Sequence, residues 1–131
     1  MSAEYTLHYF DVRGKGELIR LCFVAAGQPY VDKRYSFADW PRIKPEMPLK
    51  QMPVLEMSDG QMRCQSLSIA RYVAKKFDLM GETLEEELFV DMIVETLWGE
   101  LGTRIGEVFL NSADHKQSDV ALFTGNTCKL N

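Results

Sequence analysis

Gln65 and Ser66 stand where a strand pattern gives way to a helix pattern, and at that junction residue type and position can do chemistry. From Ser66 onward Ile69, Val73 and Phe77 recur at helical spacing with Ala70 and Ala74 beside them, one apolar face of a helix. A helix that opens directly after a strand aims its unpaired N–H groups and the positive end of its dipole beyond the strand end, where an anion is welcome. Ser66 either caps the helix with its own hydroxyl, the simpler reading, or gives that hydroxyl to a ligand carboxylate that Gln65 and the backbone also hold. Pro53 lies just before the apolar run Val54 to Met57 and, lacking an N–H, cannot sit inside a central strand. In the cis form it would bend the chain and expose the Met52 backbone to a peptide-like ligand, although trans is the commoner form and the sequence leaves both isomers open.

The elements that must position these residues form one core. At 131 residues and 46% apolar, the chain suffices for one domain plus an appendage. A net charge of -4 and a pI near 5.2 speak against a nucleic-acid partner, which needs a basic face. Arg71, Lys75 and Lys76 read as a solvent-facing basic end of a helix that complements its dipole. Cys22, Cys64 and Cys128 show no CxxC and no metal-ligand spacing, so neither a disulfide framework nor a metal site is expected. With no signal-peptide pattern and no long apolar run, no membrane partner is expected and the expected location is cytoplasmic.

In chain order, Tyr5 to Phe10 alternates as a strand, with Tyr5, Leu7 and Tyr9 on one face and Thr6, His8 and Phe10 on the other. A helix follows, with Leu18, Cys22 and Ala25 on one face, Ile19, Phe23 and Ala26 alongside, and Gly27 as its left-handed cap. Tyr30 to Tyr35 is a second strand, able to lie parallel to the first. Ser36 to Pro48, with prolines at 41, 45 and 48, is a loop without a long regular element. Asp59-Gly60 predicts a two-residue hairpin turn between two antiparallel strands. The order β-α-β, loop, β-β-α with a mixed four-stranded sheet is the thioredoxin-like one, an α/β class. Thr83 and Glu86 then form a capping box for a helix with two apolar strips, Leu84, Leu88, Met92 and Phe89, Ile93, Leu97, Leu101. Gly99, Gly102 and Gly106 predict fraying or a bend, the alternative being close approach of another helix. The division expected is residues 1–81 and 82–131, with a loosely ordered tail from about 112.

The segments LHYFDVRGKGELIRL, FADWPRIKP, QMPVLE, QSLSIARYVAKKFDLMGET and VDMIVETL, in this order and spacing, resemble a cytosolic glutathione transferase of the sigma class, the group of the haematopoietic prostaglandin D synthases and S-crystallins. The resemblance covers residues 4 to about 110. It implies a thioredoxin-like glutathione-binding domain followed by an all-α part, here incomplete because a full member has several more helices, working as a homodimer. Tyr9 matches the catalytic tyrosine, whose hydroxyl donates to the glutathione sulfur. A free thiol with a pKa of about 8.5 is only a few per cent ionised at neutral pH, so such a donor has work to do. Trp40 and Lys44 match contacts to the glycine carboxylate, Met52 and Pro53 the backbone clamp on the cysteinyl residue with proline cis, and Gln65 and Ser66 the γ-glutamyl carboxylate site. Gln51 belongs to the same pocket, Arg13 is retained, and Lys15 stands where arginine is frequent, replacing a planar fork by a point charge.

Trp98 and Gly99 occupy positions where many members offer a carboxylate across the dimer, leaving Glu95 or Glu100 as substitutes and weakening any carry-over of a divalent-cation effect. The implied activity is conjugation of the glutathione thiolate to hydrophobic electrophiles, a detoxifying reaction with glutathione as co-substrate and no metal. Two alternatives are a glutathione-dependent prostaglandin D isomerase and a non-catalytic, crystallin-like form that binds glutathione. A dithiol oxidoreductase carries little weight, because Arg13-Gly14 stands where the fold would place a CxxC.

Overall fold

A computed structural model describes residues 3–110, with residues 108–110 given as backbone only. Its elements are β1 (Tyr5–Phe10), a 3₁₀ turn (Gly14–Gly16), α1 (Glu17–Ala26), β2 (Val31–Tyr35), the short α2 (Trp40–Ile43), β3 (Val54–Met57), β4 (Met62–Cys64), α3 (Ser66–Lys76), α4 (Leu84–Val94), a π-helical stretch (Glu95–Leu101) and α5 (Gly102–Leu110). The strands order as β2-β1-β3-β4, with β1 parallel to β2 and the other pairs antiparallel. This is the mixed four-stranded, thioredoxin-like sheet expected, followed by helices.

Alternation along β1 divides the core between the two sheet faces. Tyr5 and Leu7 meet Leu55 of β3, Ile19 and Phe23 of α1, and Ile69 and Val73 of α3. Phe23 is fully buried, stacked on Tyr30 with centroids 4.5 Å apart and tilted against Tyr5 at 5.4 Å. The inner line of α1 is thus Ile19 and Phe23, with Leu18 and Cys22 flanking and Ala25 exposed. On the other sheet face Phe10 and Val54 pack under Trp40, Ile43 and Met47, so the proline-rich loop roofs the end of the sheet. Its prolines sit in the first turns of short helical pieces, where a missing N–H costs no hydrogen bond. The buried His8 bridges Tyr35 Oη at 2.8 Å and Glu56 Oε2 at 2.7 Å, linking β1 to both neighbours.

Three expectations are corrected, and the basic end of α3 gains partners. The hairpin has a three-residue loop: Gly60 N–H donates to Met57 O at 2.9 Å, Gly60 has φ 79°, and Asp59 keeps negative φ while its carboxylate accepts from Gln61 N–H at 2.9 Å. One left-handed residue therefore suffices, and glycine supplies it. Ser66 does not cap α3. The N-cap is Gln65, whose side chain makes no capping bond. Arg71, Lys75 and Lys76 keep to the solvent side as expected, but with partners: Arg71 pairs with Asp91 and Glu95, and Lys75 with Glu87, joining α3 to α4 and the π-helical stretch, while Lys76 lies against the Tyr5 and Tyr72 rings. The helical dipole explained their charge but not their partners. Finally, the chain stays helical past Gly99, where the expected fraying is replaced by the π-helical stretch. A Cβ on Gly99 would come 3.0 Å from Glu95 Oε2 and 3.9 Å from Leu67 of α3, so this glycine faces a neighbouring helix.

The Thr83–Glu86 capping box is present, at 3.1 Å and 3.3 Å in its two directions. The apolar strips of α4 are open among the described residues: Leu84, Leu88, Phe89 and Met92 are all more than half exposed. The tail expected to be loose from about 112 lies outside the described residues. Because Phe23 joins α1 to the sheet and to α3, Phe23→Ala is expected to destabilise the fold by about 3–5 kcal/mol, read as a shift in the denaturant midpoint.

Candidate functional site

The site is built where β1 ends. Tyr9 is the penultimate residue of β1 and is 2% exposed. Its hydroxyl accepts a hydrogen bond from Lys15 N–H at 3.0 Å, and that is its only hydrogen bond among the described residues. With one lone pair engaged by a backbone donor, the phenolic proton remains available for an incoming acceptor. Burial pushes the Tyr9 phenol above its ordinary value, opposed by the Lys15 N–H and the Arg20 charge, so at neutral pH it is a protonated donor.

The turn after β1 can lie on the ring only because it is glycine-rich. A Cβ on Gly16 would fall 2.4 Å from Tyr9 Cδ1, and one on Gly14, itself at φ 39°, would fall 2.6 Å from Tyr9 Oη. The importance of these two glycines was missed from sequence, although glycines flanking Lys15 directly after a strand mark a close backbone approach. Arg20 was missed too. It is buried, its Cζ lies 5.6 Å from the Tyr9 ring centroid, and its signal was a charge one residue from Ile19 on the inward side of α1. Arg13 and Lys15 are exposed on the same turn.

The remaining candidates fall on three neighbouring segments. Trp40 packs edge-on against Phe10, centroids 5.4 Å apart. Its indole N–H makes no hydrogen bond among the described residues, yet no buried polar side-chain atom there lacks a partner, so that N–H reaches solvent. The exposed Lys44 ammonium lies 5.9 Å from the Trp40 ring centroid, which puts two donors suited to a carboxylate side by side. Met52–Pro53 is cis, the isomer the sequence left open. Sheet pairing begins only at Val54, so the half-buried Met52 lies off the end of the ladder. Half-buried Gln51 donates its N–H to Pro48 O at 3.3 Å.

Gln65 has φ 78° and ψ 107°, an unusual conformation for a residue with a side chain. Its carbonyl accepts the first helical bond, from Ile69 N–H at 3.0 Å. With no cap from the Gln65 side chain, the first N–H groups of α3 stay unclaimed by it beside the Ser66 hydroxyl, and strain of this kind collects at functional sites. Glu95 is bound to Arg71 of its own chain, whereas Glu100 is exposed. Tyr9, Trp40 with Lys44, Met52 and the α3 N-terminus are all carried by ends of the sheet or by the segments leading into and out of it.

The sheet is thioredoxin-like, with a buried tyrosine near the end of β1, a cis-proline before β3 and, after β4, a helix whose N-cap side chain makes no capping bond. Residues 5–75 match the family model described as glutathione S-transferase, N-terminal domain, and the chain belongs to that family. It is 38% identical to the hematopoietic prostaglandin D synthase of Gallus gallus, an alignment covering 93% of this chain and 67% of that protein. It is 46% identical to glutathione S-transferase 4 of Caenorhabditis elegans over 70% of this chain and 44% of that one. Among solved structures, the glutathione S-transferase Na-GST-3 of the hookworm Necator americanus, described as monomeric, matches with a TM-score of 0.74 and 41% identity over 91% of this chain and 58% of its own. The chain thus spans about half to two thirds of these relatives. The alignment with the chicken protein is longer than residues 4–110 can hold, so likeness continues past the point where the sequence motifs ended.

Gly16→Ala is expected to cost about 1–3 kcal/mol in denaturant unfolding, because the added methyl overlaps the Tyr9 ring. An alkaline effect follows as well. A phenol whose ionisation is raised in the folded state contributes its stability in full below its ordinary value of 10.0 and loses it as pH climbs past that, since the unfolded chain ionises first. Stability is expected to fall above that pH and to fall less steeply in Tyr9→Phe. The loss is reduced rather than abolished, because burial raises Tyr5 and Tyr30 too.

Proposed function

We propose that the chain is a sigma-class glutathione transferase that adds the glutathione thiolate to hydrophobic electrophiles. The observation that carries this reading is the Tyr9 hydroxyl, neutral, buried and already accepting the Lys15 N–H, with its own proton free to give. In this mechanism Tyr9 donates to the sulfur and favours the thiolate over the thiol, and each tenfold gain in thiolate needs about 1.4 kcal/mol of differential stabilisation. Trp40 and Lys44 hold the glycine carboxylate. Met52, set off the ladder by the cis Pro53, pairs by its backbone with the cysteinyl residue. Gln65, Ser66 and the α3 N-terminus hold the γ-glutamyl carboxylate, with Gln51 beside them. Arg13 and Lys15 contribute positive charge near the sulfur.

The same reading divides the chain into a glutathione-binding unit of residues 1–81 and a helical unit from 82, acting in the cytoplasm in detoxification, with no metal required because the phenol does the activating. A homodimer is the proposed assembly, supported by the open apolar strips of α4. The second reading, a glutathione-dependent prostaglandin D isomerase, is favoured by the likeness to the chicken prostaglandin synthase.

Calorimetric titration with glutathione and turnover of chlorodinitrobenzene test this on wild type and Tyr9→Phe. The expected result is binding in both, with turnover about a hundredfold lower in the variant. Binding without turnover of chlorodinitrobenzene or of a prostaglandin endoperoxide would leave the non-catalytic reading, and absence of binding would refute the assignment.

A further inference from the structure

One buried cation holds the turn after β1 from within. Arg20 is 4% exposed and commits its guanidinium on several sides. Nη2 donates to Phe10 O at 3.1 Å, Nη1 to Val12 O at 2.6 Å and to Glu17 Oε2 at 3.1 Å, and Nε to Asp32 Oδ1 at 3.1 Å. The two carbonyls flank Asp11, so the guanidinium spans the bend by which the chain leaves β1. Asp32 gives its second oxygen to Arg34 Nε at 2.8 Å, and Arg34 Nη1 reaches Asp11 Oδ1 at 2.9 Å, so the same bend is gripped from outside. From this bend the chain runs over the Tyr9 ring and delivers Lys15 N–H to its hydroxyl.

Stability alone does not call for this arrangement, because a buried charge is costly and an apolar side chain of similar volume often serves as well. What a planar guanidinium adds is a rigid fork that fixes several acceptors relative to one another. We propose that Arg20 is a positioning residue for thiol activation: by fixing the Phe10 and Val12 carbonyls it sets the turn that presents Lys15 N–H to Tyr9, which directs the Tyr9 proton toward the sulfur. This rests on the reading of Tyr9 as the thiol-activating donor. Arg20 also faces the ring with a positive charge, which strengthens the phenol as a donor.

The test uses the full chain with two variants, Arg20→Lys and the double variant Arg20→Met/Asp32→Asn, which avoids leaving Asp32 without its buried cation. Tyr9 ionisation is read by ultraviolet titration without ligand, with Tyr9→Phe in each background as reference, alongside kcat, KM for glutathione and the pH profile of kcat/KM. The double variant is expected to lose on the order of tenfold to a hundredfold in kcat, since small displacements of a catalytic group cost that much. Its KM should stay within about threefold of wild type, because Arg20 touches none of the residues proposed to hold the two carboxylates and the cysteinyl backbone. Its Tyr9 should ionise at higher pH, and the acid limb of kcat/KM should move the same way. Arg20→Lys retains the charge and is expected to restore the Tyr9 titration with part of kcat.

A double variant that melts earlier yet keeps wild-type kcat and Tyr9 titration would overturn the proposal, leaving Arg20 a purely structural residue. If circular dichroism shows the double variant unfolded, Arg20→Lys decides: a lowered kcat supports the proposal and a wild-type kcat overturns it. The phenol titration needs no substrate. A chain with no turnover would therefore refute the transferase reading while the titration still tested the hold of Arg20 on Tyr9.

Discussion

A backbone N–H bonded to a phenol is the constraint on which the site depends. The 3.0 Å contact from Lys15 N–H to Tyr9 Oη decides which way the phenol can donate, because the oxygen is turned to accept on one side and can only give on the other. Everything around it serves that contact. β1 carries Tyr9 to the end of the sheet, Gly14 and Gly16 let the turn lie on the ring, and Arg20 ties the turn to β1, α1 and β2. Core packing of Leu7, Leu55, Phe23 and Val73 holds those elements in place. The fold thus reaches the chemistry through one loop whose path is over-determined.

Charge is distributed in keeping with an anionic, peptide-like ligand. Lys44 and the indole N–H of Trp40 stand at one segment, the uncapped N-terminus of α3 with Ser66 at another, and Met52 off the end of the sheet ladder at a third. A tripeptide with a carboxylate near each end and a thiol between them suits that spread of donors. The positive φ of Gln65 has a local cost, and strain of this kind collects at functional sites. Across the molecule, Arg71 and Lys75 pair with α4 and the start of the π-helical stretch, and pairs as exposed as those of Arg71 are each worth about 0–1 kcal/mol. They orient α4 more than they stabilise it.

The order of strands and helices along the chain, the capping box at Thr83 and the place of Tyr9 near a strand end were legible because each rests on a short-range pattern: alternation, cap spacing, the change of period at a strand end. Asp59-Gly60 misled about loop length, since one positive φ at Gly60 meets the need that the dipeptide was read as sharing. Ser66 misled because cap preference alone does not fix which residue takes the cap position, which here is Gln65. Arg20 escaped notice for a different reason. Its partners come from β1, β2 and α1, and no local window contains them. The glycines near 99 were read through propensity, whereas the chain answers them by widening its helical turn beside Leu67.

The chemistry proposed for this site depends most directly on whether Tyr9 activates a thiol. Ultraviolet titration of the thiolate of bound glutathione, in wild type beside Tyr9→Phe, measures that property without a second substrate. The predicted result is that the bound thiol of the wild type ionises well below the free value of about 8.5 and returns close to it in the variant. Equal ionisation in the two proteins would contradict the account, whatever their affinities for glutathione.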